Sequence, residues 1–128
     1  NRTKPRSQAL AATLGEFAKI KLIDWGDWEA AFEDAQLVVN TTSLGMTGKP
    51  PLELSLDPLP SQAAIADIVY NPLQTPLLRA AQARGHRTLD GLGMLMHQAV
   101  PAFAAWFGVS PDVTAELRAE LVKALARD

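Results

Sequence analysis

The feature that most constrains this chain is an alternation of short apolar runs with helical segments. Leu37 to Asn40, Ala64 to Val69 and His86 to Leu89 each read as a brief strand, and each runs into a segment rich in Thr, Ser, Asn, Gly or Pro. Strands and helices that alternate at about 20 to 30 residues require crossover connections, which place the strands parallel and the helices on the faces of the sheet. The fold class is therefore α/β. In open sheets of this kind ligands sit outside the carboxyl ends of the strands. The loops Asn40 to Met46, Tyr70 to Thr75 and Asp90 to Gly93 all follow expected strands. Asn1 to Arg6 leads into a helix as though a strand had just ended, so four segments are expected to converge on one edge.

The helical segments fill the intervals. Thr3 is placed to cap a helix from Lys4 to Phe17, with Pro5 in its first turn and Leu10, Leu14 and Phe17 on one face. Lys19 to Ile23 suggests a further short strand. Asp24 to Asp34, with Trp25, Trp28 and Phe32, reads as an amphipathic helix capped by Asp27. Thr41 to Pro60 is loop. Thr75 caps a helix through Arg84 that Gly85 stops. A long helix from Gly91 to Phe107 carries Leu92, Leu95, Ala99, Phe103 and Trp106 as an apolar stripe, and Gly108 ends it. Pro101 removes one helical N–H and is expected to kink this helix, at about 3 kcal/mol unless neighbours compensate. Pro111 to Ala126 forms a last amphipathic helix.

Composition excludes several classes of function. With 128 residues the chain holds one domain at most. It has no cysteine and only two histidines, His86 and His97, so neither disulfides nor an obvious zinc site is expected. Twelve basic against 14 acidic residues give a formal charge of −2 and no basic stripe for nucleic acid. No apolar run approaches the roughly 18 residues of a spanning helix, and no secretory leader is visible. A cytoplasmic address fits. The first residue is Asn1 rather than Met, which suggests processing or a piece of something longer.

Four segments are candidates for chemistry. NRTKPR puts Arg2, Lys4 and Arg6 at a helix start, where the macrodipole disfavours cations and an anion restores balance. Guanidinium forks and first-turn N–H groups suit the 2′-phosphate of NADP; a solvated basic helix start is the plainer reading. NTTSLGMTGKPP is either an ordinary polar loop or one whose hydroxyls and Gly45 let backbone approach a ribose or nicotinamide. DIVYNPLQTP ends an apolar strand with Tyr70, the only tyrosine, whose phenol either bonds a substrate or is a satisfied half-buried group. In DGLGMLMHQAVPAF, Gly91, Met94 and Gln98 share a helix face distinct from the apolar stripe. The glycine leaves first-turn N–H groups accessible, and Gln98 offers both a donor and an acceptor. His97 reads as a surface or core-edge residue. Neither a Walker loop nor a GxGxxG pattern is present.

Taken in order, NRTKPR, NTTSLGM, DIVYNP, TPLL, ARGH and DGLGMLMHQAVPAFAAWFG resemble the C-terminal half of the shikimate dehydrogenases, most clearly from Asn1 to Gly108. The resemblance implies an NADP-dependent enzyme of aromatic amino-acid (chorismate) biosynthesis that interconverts 3-dehydroshikimate and shikimate. Residues 1–108 would be the C-terminal part of a Rossmann-like NADP-binding domain, and residues 109–128 a helix packing toward a substrate domain. Asn1, Arg2, Thr3 and Arg6 would hold the adenosine end and 2′-phosphate. Thr42, Ile68, Gly91 and Met94 would line the nicotinamide and its ribose, and Tyr70 and Gln98 would contact the substrate.

The family's glycine-rich loop and its catalytic lysine and aspartate are not in this chain, so no catalytic residue is assigned and the 128 residues alone are expected to be inactive. In a 3-2-1-4-5-6 strand order the two central strands are also absent. Lys19 to Ile23 would then lack a neighbour and Leu37 to Asn40 would expose an edge. Alone, such a chain is expected to be unstable, rearranged or intermolecularly paired. A quinate or amino-shikimate dehydrogenase of the same fold and a non-catalytic nucleotide-binding module are the alternative functions.

Overall fold

The computed structural model describes residues 3–126. They divide into two compact units, Asn1–Ala35 with Ser55–Pro60, and Gln36–Leu54 with Ser61–Asp128.

The first unit is sparse in regular structure. Helix α1 spans Lys4–Leu14, with Pro5 in the first turn and Thr3 at the N-cap position. The Thr3 backbone is extended and its side chain does not cap the turn; its carbonyl accepts from Arg6 and Ser7 N–H at 3.0 and 3.3 Å. The helix stops three residues before the expected Phe17, because Phe17 and Ala18 N–H both fold back to the Leu14 carbonyl. No residue of α1 is buried, and Phe17 is 83% exposed.

Two expectations fail here. Lys19 to Ile23 is not a strand: the segment pairs with no other strand among the described residues, and a strand exists only as part of a ladder. The helix expected over Asp24 to Asp34 shrinks to α2, Glu29–Phe32, with Trp28 rather than Asp27 at its N-cap. Asp27 instead donates its N–H to the Asp24 carbonyl in a turn, while Trp25 and Trp28 pack edge to face at 4.6 Å.

The second unit holds the sheet. Strands β1 (Leu37–Asn40), β2 (Ala64–Asp67) and β3 (Arg87–Leu89) pair in the order β1-β2-β3, all parallel. Their centres agree with the apolar runs in the sequence, and β2 and β3 are shorter than those runs by one or two residues. The central strand β2 is the most buried, with Ile65 fully inaccessible, as expected of a parallel strand covered on both faces. At the sheet edge, β1 leaves Leu37 and Val39 exposed.

Helix α3 (Pro76–Ala83) joins β2 to β3. Its N-cap Thr75 accepts from Leu78 N–H, Pro76 supplies a preset φ, and Gly85 turns away at φ 80°. It buries Leu77, Leu78 and Ala81. Helix α4 (Gly91–Phe107) continues through Pro101 as one 17-residue helix and ends at left-handed Gly108. Its buried residues are Gly91, Leu92 and Met96, so the stripe drawn from Leu92 to Trp106 is buried only at its start; Trp106 is 78% exposed. The last helix, α5, is Ala115–Leu125 rather than Pro111 to Ala126, because Thr114 caps it by accepting from Leu117 N–H at 3.2 Å.

Candidate functional site

Parallel pairing puts the carboxyl ends of β1, β2 and β3 on one edge of the sheet, and the segments that follow them meet there. Asn40 and Asp67, the last residues of β1 and β2, are register partners, and both are buried. The Asn40 amide donates to Asp67 Oδ1 and to the Leu44 carbonyl, each at 3.0 Å. Its own oxygen accepts from Thr42 N–H at 3.0 Å and from Thr42 Oγ1 at 2.8 Å, and Thr42 Oγ1 in turn accepts from Leu44 N–H. Thr42 is thus locked into an Asx turn that closes the end of β1.

Asp67 Oδ1 also accepts from Val69 N–H at 3.0 Å, and Asp67 Oδ2 accepts from Thr75 Oγ1 at 2.7 Å. Hydrogen bonds to a carboxylate inside a protein are among the stronger ones, and here three donors satisfy a group that is 2% exposed. The loops after β1 and β2 are tied a second time through Thr47, whose N–H and hydroxyl donate to the Asn71 carbonyl and side-chain oxygen, both at 2.9 Å.

Ile68 and Gly91, expected near a nicotinamide, lie against each other. A Cβ built on Gly91 would stand 2.2 Å from the Ile68 carbonyl oxygen and 2.7 Å from that of Val69, so only glycine permits this approach of α4 to the end of β2. Two first-turn N–H groups of α4, those of Leu92 and Gly93, are not open as expected. Asp90 Oδ1 accepts from Leu92 and Gly93 at 3.1 and 3.4 Å. The same carboxylate takes a two-pronged contact from Arg118 of α5, at 3.2 Å to Oδ1 and 2.6 Å to Oδ2. Gly91, Met94 and Gln98 lie at the expected spacing on one continuous helix; Gly91 is buried, whereas Met94 and Gln98 are exposed. Tyr70 is 37% exposed where the loop leaves the sheet. His97 is exposed, and buried His86 places Nδ1 3.2 Å from the Ala63 carbonyl, a bond in which Nδ1 donates.

In the first unit, Lys4 is engaged by Asp24 at 2.9 Å. Arg6 is exposed in the first turn of α1 and makes no ion pair among the described residues. Asn1 and Arg2 lie outside the described residues.

Four residues given no role of their own by the sequence anchor this edge: Asn40, Asp67, Asp90 and Arg118. The signal for the first two is a polar residue closing each of the runs LVVN and AIAD. For Asp90 it is an Asp before a helix that opens with glycine. Nothing local marks Arg118, 28 residues from its partner.

A cavity of about 340 Å³ between α4 and α5 is apolar, lined by Leu95, Phe103, Pro111 and Leu117 among others. A second, of about 220 Å³, is lined by Gln74, Gln82, Thr88, Asp90 and Arg118. Neither of these includes Thr42, Tyr70, Met94 or Gln98. No helix is long and apolar enough to cross a membrane among the described residues.

Residues 91–119 match the shikimate 5′-dehydrogenase C-terminal domain family. The chain is 57% identical over 126 residues to the shikimate dehydrogenase (NADP(+)) of Azorhizobium caulinodans, covering 98% of this chain and 44% of that protein. With the enzyme of the same name from Rhodopseudomonas palustris the identity is 59% over 119 residues, 93% of this chain and 42% of the relative. Among solved structures, shikimate 5-dehydrogenase from Thermus thermophilus, in complex with NADP(H) and shikimate, matches with TM-score 0.74 and 32% identity over 99% of this chain and 44% of that one. Quinate dehydrogenase from Corynebacterium glutamicum, in complex with NAD, matches with TM-score 0.75 and 38% identity over 85% of this chain and 40% of that one. The chain spans less than half the length of the curated relatives it matches. Its parallel sheet, its glycine-led helix α4 and these matches agree: over nearly its whole length the chain is similar to the C-terminal part of shikimate dehydrogenases.

Proposed function

We propose that the protein carrying this chain reduces 3-dehydroshikimate to shikimate with NADPH, and that these residues contribute cofactor selection and part of the substrate contacts. The observation that carries this reading is the carboxyl edge of the sheet. There the closed Thr42 turn, the contact of Gly91 with Ile68 and the exposed Tyr70 all belong to segments that end or adjoin β1 and β2. The donor set suits an NADP group, since an exposed guanidinium with no ion pair among the described residues, in a helical first turn lacking acids, matches a phosphate monoester.

Arg6, with Arg2, Thr3 and Asn1, would hold the adenosine end and 2′-phosphate. Thr42, Ile68, Gly91 and Met94 would line the nicotinamide ribose and ring. Tyr70 and Gln98 would hydrogen-bond substrate oxygens and so orient the ketone carbon. When bound, NADPH supplies the hydride. The lysine and aspartate that manage the proton in the family lie outside these 128 residues. Residues 109–128 would pack toward a substrate domain, and residues 1–108 would complete the NADP-binding domain.

Steady-state assays of the full-length protein with shikimate and quinate, each with NADP and NAD, test the reading. We expect shikimate with NADP to give the highest kcat/KM. Arg2→Ala and Arg6→Ala should each weaken NADP by about 1.5–3 kcal/mol while leaving NAD nearly unchanged. Equal losses for both cofactors would remove the phosphate assignment. A second reading, oxidation of quinate, is favoured by the match to the quinate dehydrogenase structure, and higher kcat/KM for quinate would select it.

A further inference from the structure

We infer that Asp67, which contacts neither ligand in the reading above, is a positioning residue that fixes the Thr42 and Tyr70 segments relative to each other. The inference rests on that reading for what the segments bind, and on hydrogen-bond geometry for the coupling itself. Asp67 joins three separate points of this edge. Its Oδ1 accepts from Asn40, whose oxygen holds the Thr42 turn, and from the N–H of Val69, the neighbour of Tyr70. Its Oδ2 accepts from Thr75, where the Tyr70 loop ends and α3 begins.

A carboxylate is suited to this task because both of its oxygens accept and neither competes as a donor. In Asp67→Asn one oxygen becomes an NH₂ facing the Thr75 hydroxyl. That hydroxyl already accepts from Leu78 N–H and loses its acceptor. The substitution keeps the size of the side chain, so exchange at mid-strand Ile65 separates a displaced edge from a lost fold. The arrangement also explains why two buried polar residues occupy register-paired positions in otherwise apolar strands, where an unsatisfied polar group would be unfavourable.

The test uses the full-length protein and two readouts. Amide hydrogen exchange in Asp67→Asn should accelerate about tenfold or more at Val69 and at Thr42, with Ile65 in mid-strand within about twofold of wild type. Thr75→Ser, which keeps the hydroxyl, should leave both loops as in wild type, whereas Thr75→Val should loosen the Tyr70 loop. Unchanged protection at Thr42, or a uniform loss that includes Ile65, overturns the inference.

The second readout is a double-mutant cycle on kcat/KM for shikimate. If Asp67→Asn and Tyr70→Phe each lose about tenfold, coupling predicts a combined loss well under the hundredfold of independent sites. Full additivity in this cycle overturns the inference, because a merely structural role gives independent losses. A wild-type protein with no activity on shikimate would remove the functional reading, while the exchange pattern would still decide the role of Asp67.

Discussion

The two units of the chain answer similar sequence signals in different ways. In the second unit each apolar run becomes a strand beside another strand, and α3 buries Leu77, Leu78 and Ala81. In the first, α1 forms with no buried residue, and the segment from Lys19 to Ile23 joins no ladder among the described residues. A helix satisfies its own backbone hydrogen bonds and forms wherever propensity and a first-turn proline allow. A strand depends on a neighbour for every hydrogen bond it makes, so local composition alone does not create one.

The largest effect that sharpens this contrast comes from paired leucine truncations. Leu78→Ala in the full-length protein should lower stability by about 3–4 kcal/mol, through lost burial and a residual cavity. Leu10→Ala on the exposed face of α1 should change it by less than about 0.5 kcal/mol. Urea unfolding measures both, and a loss above about 1 kcal/mol for Leu10→Ala would break the comparison by showing that this face is covered in the whole protein.

Next in size are the two glycines of α4. Gly91→Ala drives a methyl into the Ile68 and Val69 carbonyls and should cost about 2–3 kcal/mol. Gly93→Ala meets open space and should instead stabilise by about 0.5–1 kcal/mol through helix propensity. Thermal midpoints moving in the same direction for both would contradict the close approach of helix and strand.

A smaller effect is expected at Arg118. Removing its two-pronged contact with partly exposed Asp90 in Arg118→Met should cost about 1 kcal/mol, since solvent screens the pair. It should also speed exchange of the first-turn amides of α4 more than those of β2. No preferential change near Leu92 would show that Asp90 caps the helix without help from α5.

The smallest effect concerns Glu116. The hydrogen bond from its own backbone N–H, then that with Thr114, hold its carboxyl below the usual value of 4.5 against a weak opposing desolvation. A carboxyl with a lowered folded-state pKa contributes stability above about pH 4.5 that is lost as the pH falls through the folded value. Glu116→Gln should flatten stability across that acid window by lowering it slightly near neutrality and leaving it unchanged below the window; an equal loss at both pH values would reject the assignment.

Helix ends and turn chemistry were the most legible parts of the sequence. Thr75 before Pro76, Gly85 after the last turn of α3 and Gly108 after α4 all do what their residue types suggest, because capping and left-handed backbone are local properties. The long apolar stripe of α4 was less legible: Leu92 is buried and Trp106 is exposed, a difference set by what packs nearby rather than by helical spacing. The candidate site shows the same division. Tyr70, Gly91 and Gln98 stand out as residue types in unusual places, whereas the tie between Asn40 and Asp67 joins residues 27 apart and depends on strand register.

The amino-acid order by itself determined the parallel α/β class, the order of strand, loop and helix from Leu37 onward, the cap at Thr75 and the glycine turns at Gly85 and Gly108. These depend on propensities and periodicities acting within a few residues. Only the tertiary structure decided that Lys19 to Ile23 is not a strand, that Gly91 stands against Ile68, that Asp90 is held by Arg118, and that Asp67 gathers three donors. Each of these requires a partner far away in the chain, and packing chooses which distant groups meet.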